Sequence, residues 1–231
     1  MDGGDTGGSG RGRSAGAGRL GARPGPQPAG PPLPAGTTTL DLGGREAQVA
    51  VPGEASGPRP LLVFCHGAGG TAQQSLAAVG DVALSRGVVV LATSSVGATW
   101  DLLTGGLGHD VAVLEAALER VAAGVAVSRV ALGGFSDGAS YALSLGLANG
   151  DLFEALLAFS PGFTAPPGRT GRPRVWIAHG TADRVLPVDR CGRRVSRDLA
   201  AAGYDVTYDE FDGGHVVTPG LVTAALDTWL T

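Results

Sequence analysis

The sequence predicts an α/β protein with a mostly parallel, doubly wound sheet, and three observations carry that expectation. Beyond residue 37, apolar runs of strand length alternate with stretches of helical periodicity. The runs "PLLVFC", "VVVLAT" and "RVWIA" are almost unbroken in apolar residues, the texture of strands covered on both faces. At 231 residues, 43% apolar and 16% charged, the chain suffices for one domain with a substantial core and is short for two.

Each element is legible in turn. "TTTLDLGGREAQVAVP" reads as two short strands around a Gly-Gly turn, an antiparallel hairpin opening the sheet. "LLVFC" is a buried strand running into the loop "HGAGG", and a helix follows from about Gln73 to Arg86, closed by Gly87. "VVVLATSS" is the next strand. "HDVAVLEAALERVAAG" has apolar residues at i, i+3, i+4 and i+7 and stops at Gly124, an amphipathic helix. "SRVALGGF" is a strand and "DGASYALSLGLANG" a helix. "FEALLAFS" is assigned as strand by its place in the alternation. "RVWIAHG" is a strand, residues 189–202 a helix, "YDVTYDEF" a strand, and residues 219–230 the last helix.

Residues 1–36 differ in kind. Half are Gly or Pro, with Arg11, Arg13, Arg19 and Arg23 among them and little to bury, so they are expected to form a disordered tail ahead of a domain spanning 37–231. No apolar stretch of about 7–15 residues with a cleavage pattern stands there, which argues against a secretory signal and for a cytoplasmic protein, with an Arg-rich organelle leader as the alternative. The net charge of −4 favours neither nucleic acid nor an anionic membrane as partner. No run approaches the roughly 18 apolar residues of a spanning helix, so integral membrane association is not expected. Cys65 and Cys191 read as buried free thiols rather than a disulfide framework.

In doubly wound sheets, functional groups gather in the loops after the strand carboxyl ends. There Gly134-Phe135-Ser136-Asp137-Gly138 fits G-x-S-x-G between a predicted strand and a predicted helix. In a chain with 40 glycines an ordinary Gly-rich connection is the bland alternative. The strand-to-helix setting favours a nucleophile held in a tight turn, with the positive end of the helix dipole beside it. A serine hydroxyl needs a base, and the base needs an orienting acid. His215, in the glycine loop "FDGGHVV" after the last strand, is the candidate base. His66 belongs to a loop shaping an oxyanion site, and His179 reads as a core histidine bonded to backbone. Asp183, in "HGTADRVLP", is the candidate acid. Asp209 and Asp212 lie too near His215 in sequence to buttress it from a separate loop, while Asp110 and Asp189 read as capping or first-turn carboxylates. The oxyanion donors expected are the backbone N–H groups of Asp137 and Ala68, with Gly67 and Gly69 as neighbours of the latter. Trp100 and Phe163 are candidate pocket residues, Trp100 standing equally well in the core. The cysteines form no C-x-x-C pair and the histidines no i, i+4 pair, so neither metal nor cofactor is expected.

The pieces "FCHGAGG", "GFSDGAS", "FSPGF", "HGTADRVLPVDR" and "FDGGHVV", in this order between Leu61 and Val217, resemble the α/β-hydrolase superfamily, and within it the phospholipase/carboxylesterase group that includes acyl-protein thioesterases. The resemblance implies an α/β-hydrolase fold and a cofactor-independent serine hydrolase. Ser136, Asp183 and His215 would be its triad, Ala68 and Asp137 its oxyanion donors, and small-molecule or acyl esters its substrates. Acyl-protein thioesterases usually carry Gln after the nucleophile, where this chain has Asp137. A thioesterase or peptidase on the same scaffold, and a non-catalytic ligand-binding homologue, are the alternatives. "PGFTAPPGRTGRP", where this superfamily commonly inserts a cap, is too short and too rich in Pro and Gly to form one, so an uncapped site is expected.

Overall fold

The computed structural model describes residues 18–53, 57–104 and 106–231. Strands β1 (Gly36–Asp41) and β2 (Glu46–Val51) pair antiparallel, Gly36 opposite Val51 and Asp41 opposite Glu46, so "LGGR" makes the turn as expected. The remaining strands are β3 (Arg59–Cys65), β4 (Val89–Thr93), β5 (Val127–Phe135), β6 (Ala155–Phe159), β7 (Arg174–Gly180) and β8 (Val206–Phe211). They form one sheet in the order β1-β2-β4-β3-β5-β6-β7-β8. Every pairing from β4 to β8 is parallel, with β2 antiparallel to β4.

The helices are α1 (Ala72–Ser85), α2 (His109–Gly124), α3 (Asp137–Ala148), α4 (Gly192–Ala201) and α5 (Pro219–Leu230). Thr71 caps α1 by accepting the Gln74 N–H, and Thr218 caps α5, whose first residue is Pro219. Two cores result. Leu61, Val63 and Cys65 of β3 point to the face covered by α2, α3 and α4, and Leu62 and Phe64 to the face covered by α1 and α5. The two-residue strand period thus feeds both cores from one run of apolar residues. α4 begins at Gly192, three residues later than its sequence implies. Asp189 precedes it and pairs with Arg193 at 2.6 Å instead of capping it.

The tail expectation needs correction over the described part. Residues 18–35 form no regular element, yet they strap across the α2–α4 face. Leu20 and Ala22 are buried in that core, and the Leu20 N–H donates to the Asn149 side chain at 2.9 Å. Arg19 and Arg23 both reach Asp151, at 2.8 and 3.0 Å. Gly30 and Leu33 donate their N–H groups to Ala123 and Gly124 at the end of α2. Two apolar side chains and backbone bonds to the last carbonyls of α2 anchor a segment whose composition alone offers too little to bury. Residues 1–17 of the expected tail lie outside the described residues. The connection from β6 to β7, residues 160–173, carries no helix or strand and no cap.

Candidate functional site

β5 lies centrally in the sheet, and its end turns straight into α3 at Ser136. This serine adopts φ 57° and ψ −117°, a left-handed conformation that L-residues other than glycine rarely hold. The flanking glycines show why the turn closes. A Cβ at Gly134 would stand 2.3 Å from the Gly138 carbonyl oxygen, and one at Gly138 would stand 2.3 Å from the carbonyls of Cys65 and His66. The turn is pinned from β6 as well, where the Ser136 N–H donates to Phe159 O at 2.9 Å. From α3, Ser140 Oγ accepts the N–H of Gly162 at 3.0 Å and joins the 160–163 loop to the same turn.

Ser136, His215 and Asp183 are brought together. His215 Nε2 is 2.8 Å from Ser136 Oγ, and His215 Nδ1 is 2.6 Å from Asp183 Oδ2. A carboxylate only accepts, so Nδ1 carries the proton and donates it to Asp183, leaving Nε2 to accept the serine O–H. The Asp183 side chain is wholly buried, and its Oδ1 accepts the N–H groups of Val185 and Leu186 at 2.8 Å each. Burial pushes this carboxyl up, but the Leu186 N–H, His215 and the Val185 N–H outweigh it and hold its pKa below the usual carboxylate value. Of the rival acids, Asp209 accepts the Trp176 indole N–H at 2.9 Å on β8. Asp110 holds the loop before α2 by accepting the N–H groups of Val96 and Asp101 rather than capping the helix, a task left to Asp101 through the N–H groups of Gly108 and Asp110.

The loop after β3 packs against the serine, where a Cβ at Gly67 would lie 3.4 Å from Ser136 Cβ. Within it the Gly69 N–H is taken by Ala98 O and the Gly70 N–H by Gly67 O. Among the described residues, the N–H groups of Ala68 and Asp137 donate to no protein acceptor, which leaves both free for a ligand oxygen and removes Gly69 from the candidates. His66 is the loop's anchor. Its Nε2 accepts the Ser95 N–H at 2.9 Å, so the proton sits on Nδ1, which lies 2.7 Å from Gly67 O. Burial lowers its pKa and keeps the ring neutral near pH 7.

Trp100 is a correction. It is fully buried and is not among the residues lining the cavity beside the serine. Its ring stacks on Tyr141 with centroids 4.5 Å apart, its other neighbour is the His66 ring at 4.9 Å, and its indole N–H donates to His66 O at 2.8 Å. It is a pillar beneath the 66–70 loop, since an indole offers large contact area with one polar handle. Phe163 is half-buried, its N–H 3.4 Å from Ser140 Oγ, and it is not among the walls of the cavity beside the serine. That cavity, about 370 Å³, was not foreseen from sequence. Phe64, Ala78, Phe135 and Val217 supply its apolar walls, and Ala68 lines it as well. Phe135 links it to the triad geometry, with its ring centroid 4.6 Å from that of His215. The available signals were Gln74 and Ala78, one turn apart on α1, and Val217, two residues past His215. Neither spacing separates a cavity wall from core.

Among the described residues, no group of three or more His, Cys, Asp or Glu is placed to hold a metal ion, and no helix is long and apolar enough to cross a membrane. Cys65 and Cys191 are free and buried. Residues 113–227, about half of the chain, match the Phospholipase/Carboxylesterase family, a stretch that contains Ser136, Asp183 and His215 and stops short of the 66–70 loop. The chain belongs to the α/β-hydrolase superfamily. On its phospholipase/carboxylesterase branch this α/β-hydrolase is an enzyme of the carboxylic ester hydrolase class. Solved structures share its fold. Esterase PE8 is 22% identical over 85% of this chain and 100% of that one, with a TM-score of 0.63. TT1662 from Thermus thermophilus is 22% identical over 86% and 99%, also at 0.63. A truncated carbohydrate esterase from gut microbiota is 15% identical over 87% and 98%, at 0.68. No curated protein matches the α/β-hydrolase by sequence.

Proposed function

We propose that the α/β-hydrolase cleaves carboxylic esters through a Ser136–His215–Asp183 triad and an acyl-enzyme. The observation that supports this most is the 2.8 Å and 2.6 Å pair of contacts linking three side chains from three separate loops. Ser136 Oγ attacks the acyl carbon while His215 Nε2 takes its proton. The N–H groups of Ala68 and Asp137 receive the developing oxyanion, and the α3 N-terminus adds its dipole. The imidazolium then gives its proton to the leaving oxygen as the carbon–oxygen bond breaks. In the second half, His215 deprotonates water, which attacks the acyl carbon; the acyl carbon–Oγ bond breaks, the imidazolium returns its proton to Ser136 Oγ, and the acid leaves. Asp183 keeps the proton on Nδ1 throughout, and its depressed pKa keeps it anionic at neutral pH.

The substrate is an ester with a small or acyl apolar part. A 370 Å³ volume sits at the low end of the roughly 300–1,000 Å³ range of small-molecule sites, and no charged side chain lines it. The test is hydrolysis of p-nitrophenyl acetate and butyrate together with labelling by a fluorophosphonate probe, in wild type and Ser136→Ala. Turnover and labelling confined to wild type are expected. Equal background in both proteins would turn the reading toward a ligand-binding homologue.

A further inference from the structure

His179 ends β7 four residues before Asp183, and both side chains are completely shielded from solvent. Its Nε2 stands 2.7 Å from Leu186 O and 3.3 Å from Asp183 Oδ2. Both neighbours only accept, so Nε2 carries the ring proton; it donates to Leu186 O and leaves Asp183 Oδ2 within electrostatic reach at 3.3 Å. Nδ1, on the other side, has no partner among the described residues. It faces the start of α4, so closely that a Cβ at Gly192 would lie 2.6 Å from it. A phenyl of similar size would bury no bare ring nitrogen but would leave Leu186 O without this donor, so what the imidazole adds here is its Nε2–H. The chemistry is on the Nε2 side.

That side is where the candidate acid is held. Oδ1 of Asp183 takes the N–H groups of Val185 and Leu186, and Oδ2 faces His215 Nδ1. His179 touches Oδ2 and, through Leu186 O, the same peptide segment that grips Oδ1. The other groups packed around the ring do not compete for its proton. Glu210 stands opposite His179 in the β7–β8 register and is committed to Arg193 by two contacts of 2.6 Å, while α4 presents the uncharged Gly192.

We propose that His179 is a positioning residue: its Nε2–H holds Leu186 O, anchors the segment that grips Asp183 Oδ1, and so aims Oδ2 along the His215 Nδ1–H axis. The proposal rests on reading Ser136, His215 and Asp183 as the triad. Without that anchor the carboxylate rotates more freely, and Oδ2, no longer facing the Nε2–H dipole at 3.3 Å, concentrates its charge on His215.

The experiment compares wild type, His179→Phe and His179→Gln in ester hydrolysis across pH. His179→Phe keeps the ring volume and loses the donor. It is expected to lower kcat roughly 10- to 100-fold, the range seen when outer partners of an oriented ligand are lost, with KM within about two-fold. The acid limb of kcat/KM should move to higher pH. His179→Gln, which retains an N–H donor, should recover part of kcat. A His179→Phe enzyme with wild-type kcat and an unmoved acid limb overturns the proposal, as does an equal loss in both variants. Should the variants fail to fold, nitrogen-15 spectra of histidine-labelled wild type decide. Nε2 protonated and Nδ1 bare is the expected tautomer, and the reverse overturns the proposal. Absence of fluorophosphonate labelling at Ser136 in wild type would instead sink the triad reading itself.

Discussion

The carboxylate of Asp137 accepts the backbone N–H of Trp100 at 3.0 Å, tying the residue after Ser136 to the loop beyond β4. Burial raises the Asp137 pKa and the Trp100 N–H opposes that rise. The same residue's own N–H has no protein acceptor among the described residues, while its side chain fixes the Trp100 pillar. Asp137→Ala leaves the Trp100 N–H buried without an acceptor, at a cost of about 1–3 kcal/mol. Thermal melts should show that loss, and Asp137→Asn, whose amide oxygen still accepts, should lose much less. An Asp137→Ala protein as stable as wild type would remove this tie from the account.

Asp183→Asn should keep the fold and lose most activity. An amide in place of the carboxylate can donate toward Nδ1 and favours the wrong tautomer of His215, an effect of about 10⁴ in kcat where a triad operates. Steady-state ester kinetics with unchanged far-ultraviolet circular dichroism is the measurement. A loss under about tenfold would show that Asp183 does not orient the base.

The pH dependence follows from the sign of the Asp183 shift. Its folded pKa is depressed, so the native state binds this proton more weakly than the unfolded chain. The stabilisation is fully present above the ordinary carboxylate value of about 3.9 and is lost as pH falls through the lower folded value. Urea midpoints between pH 7 and pH 3 should fall at the acid end in wild type and fall less steeply in Asp183→Asn.

The turn around Ser136 tolerates no added carbon. Gly138→Ala drives a methyl against two carbonyl oxygens, with no flexible side chain to yield. A loss of about 1–3 kcal/mol or more is expected in denaturant melts, with activity falling as the turn shifts. Gly214→Ala, in the His215 loop with open space around its Cα, should be far milder.

The strap over residues 18–35 is a stability element. Leu20→Ala should cost about 2–5 kcal/mol, as for other buried leucines. Arg19→Ala should cost no more than about 1 kcal/mol, since its pair with Asp151 is a third exposed. The Asp151 carboxyl is held low, chiefly by Arg19, so this contribution too is present at neutral pH and lost in acid. Hydrogen exchange at Leu20 and Leu33 reports the docking directly.

Much of the fold was readable because burial leaves a periodic signature. The parallel strands appear as unbroken apolar runs, the helices as a 3.6-residue rhythm, and the Ser136 turn as two glycines demanded by sterics. Three loops were nameable because parallel topology sends every strand's carboxyl end to one edge. Trp100 illustrates what was not readable. An indole in "GATWD" has the same local pattern whether it lines a pocket or props a loop, and only its stacking between His66 and Tyr141 separates the two. The strap is the converse case, since its Gly and Pro content spells disorder while two side chains find a groove that no local pattern records.

By itself, then, the chain's order of residues determined the sheet, its flanking helices and which loops would meet, because these depend on periodicity and on short-range sterics. The tertiary structure decided which atoms face one another: the tautomers of His66, His179 and His215, the freedom of the Ala68 and Asp137 N–H groups, and the cavity beside Phe135. Those outcomes depend on distances between residues far apart in the chain, and hydrogen bonding and packing act through such distances alone.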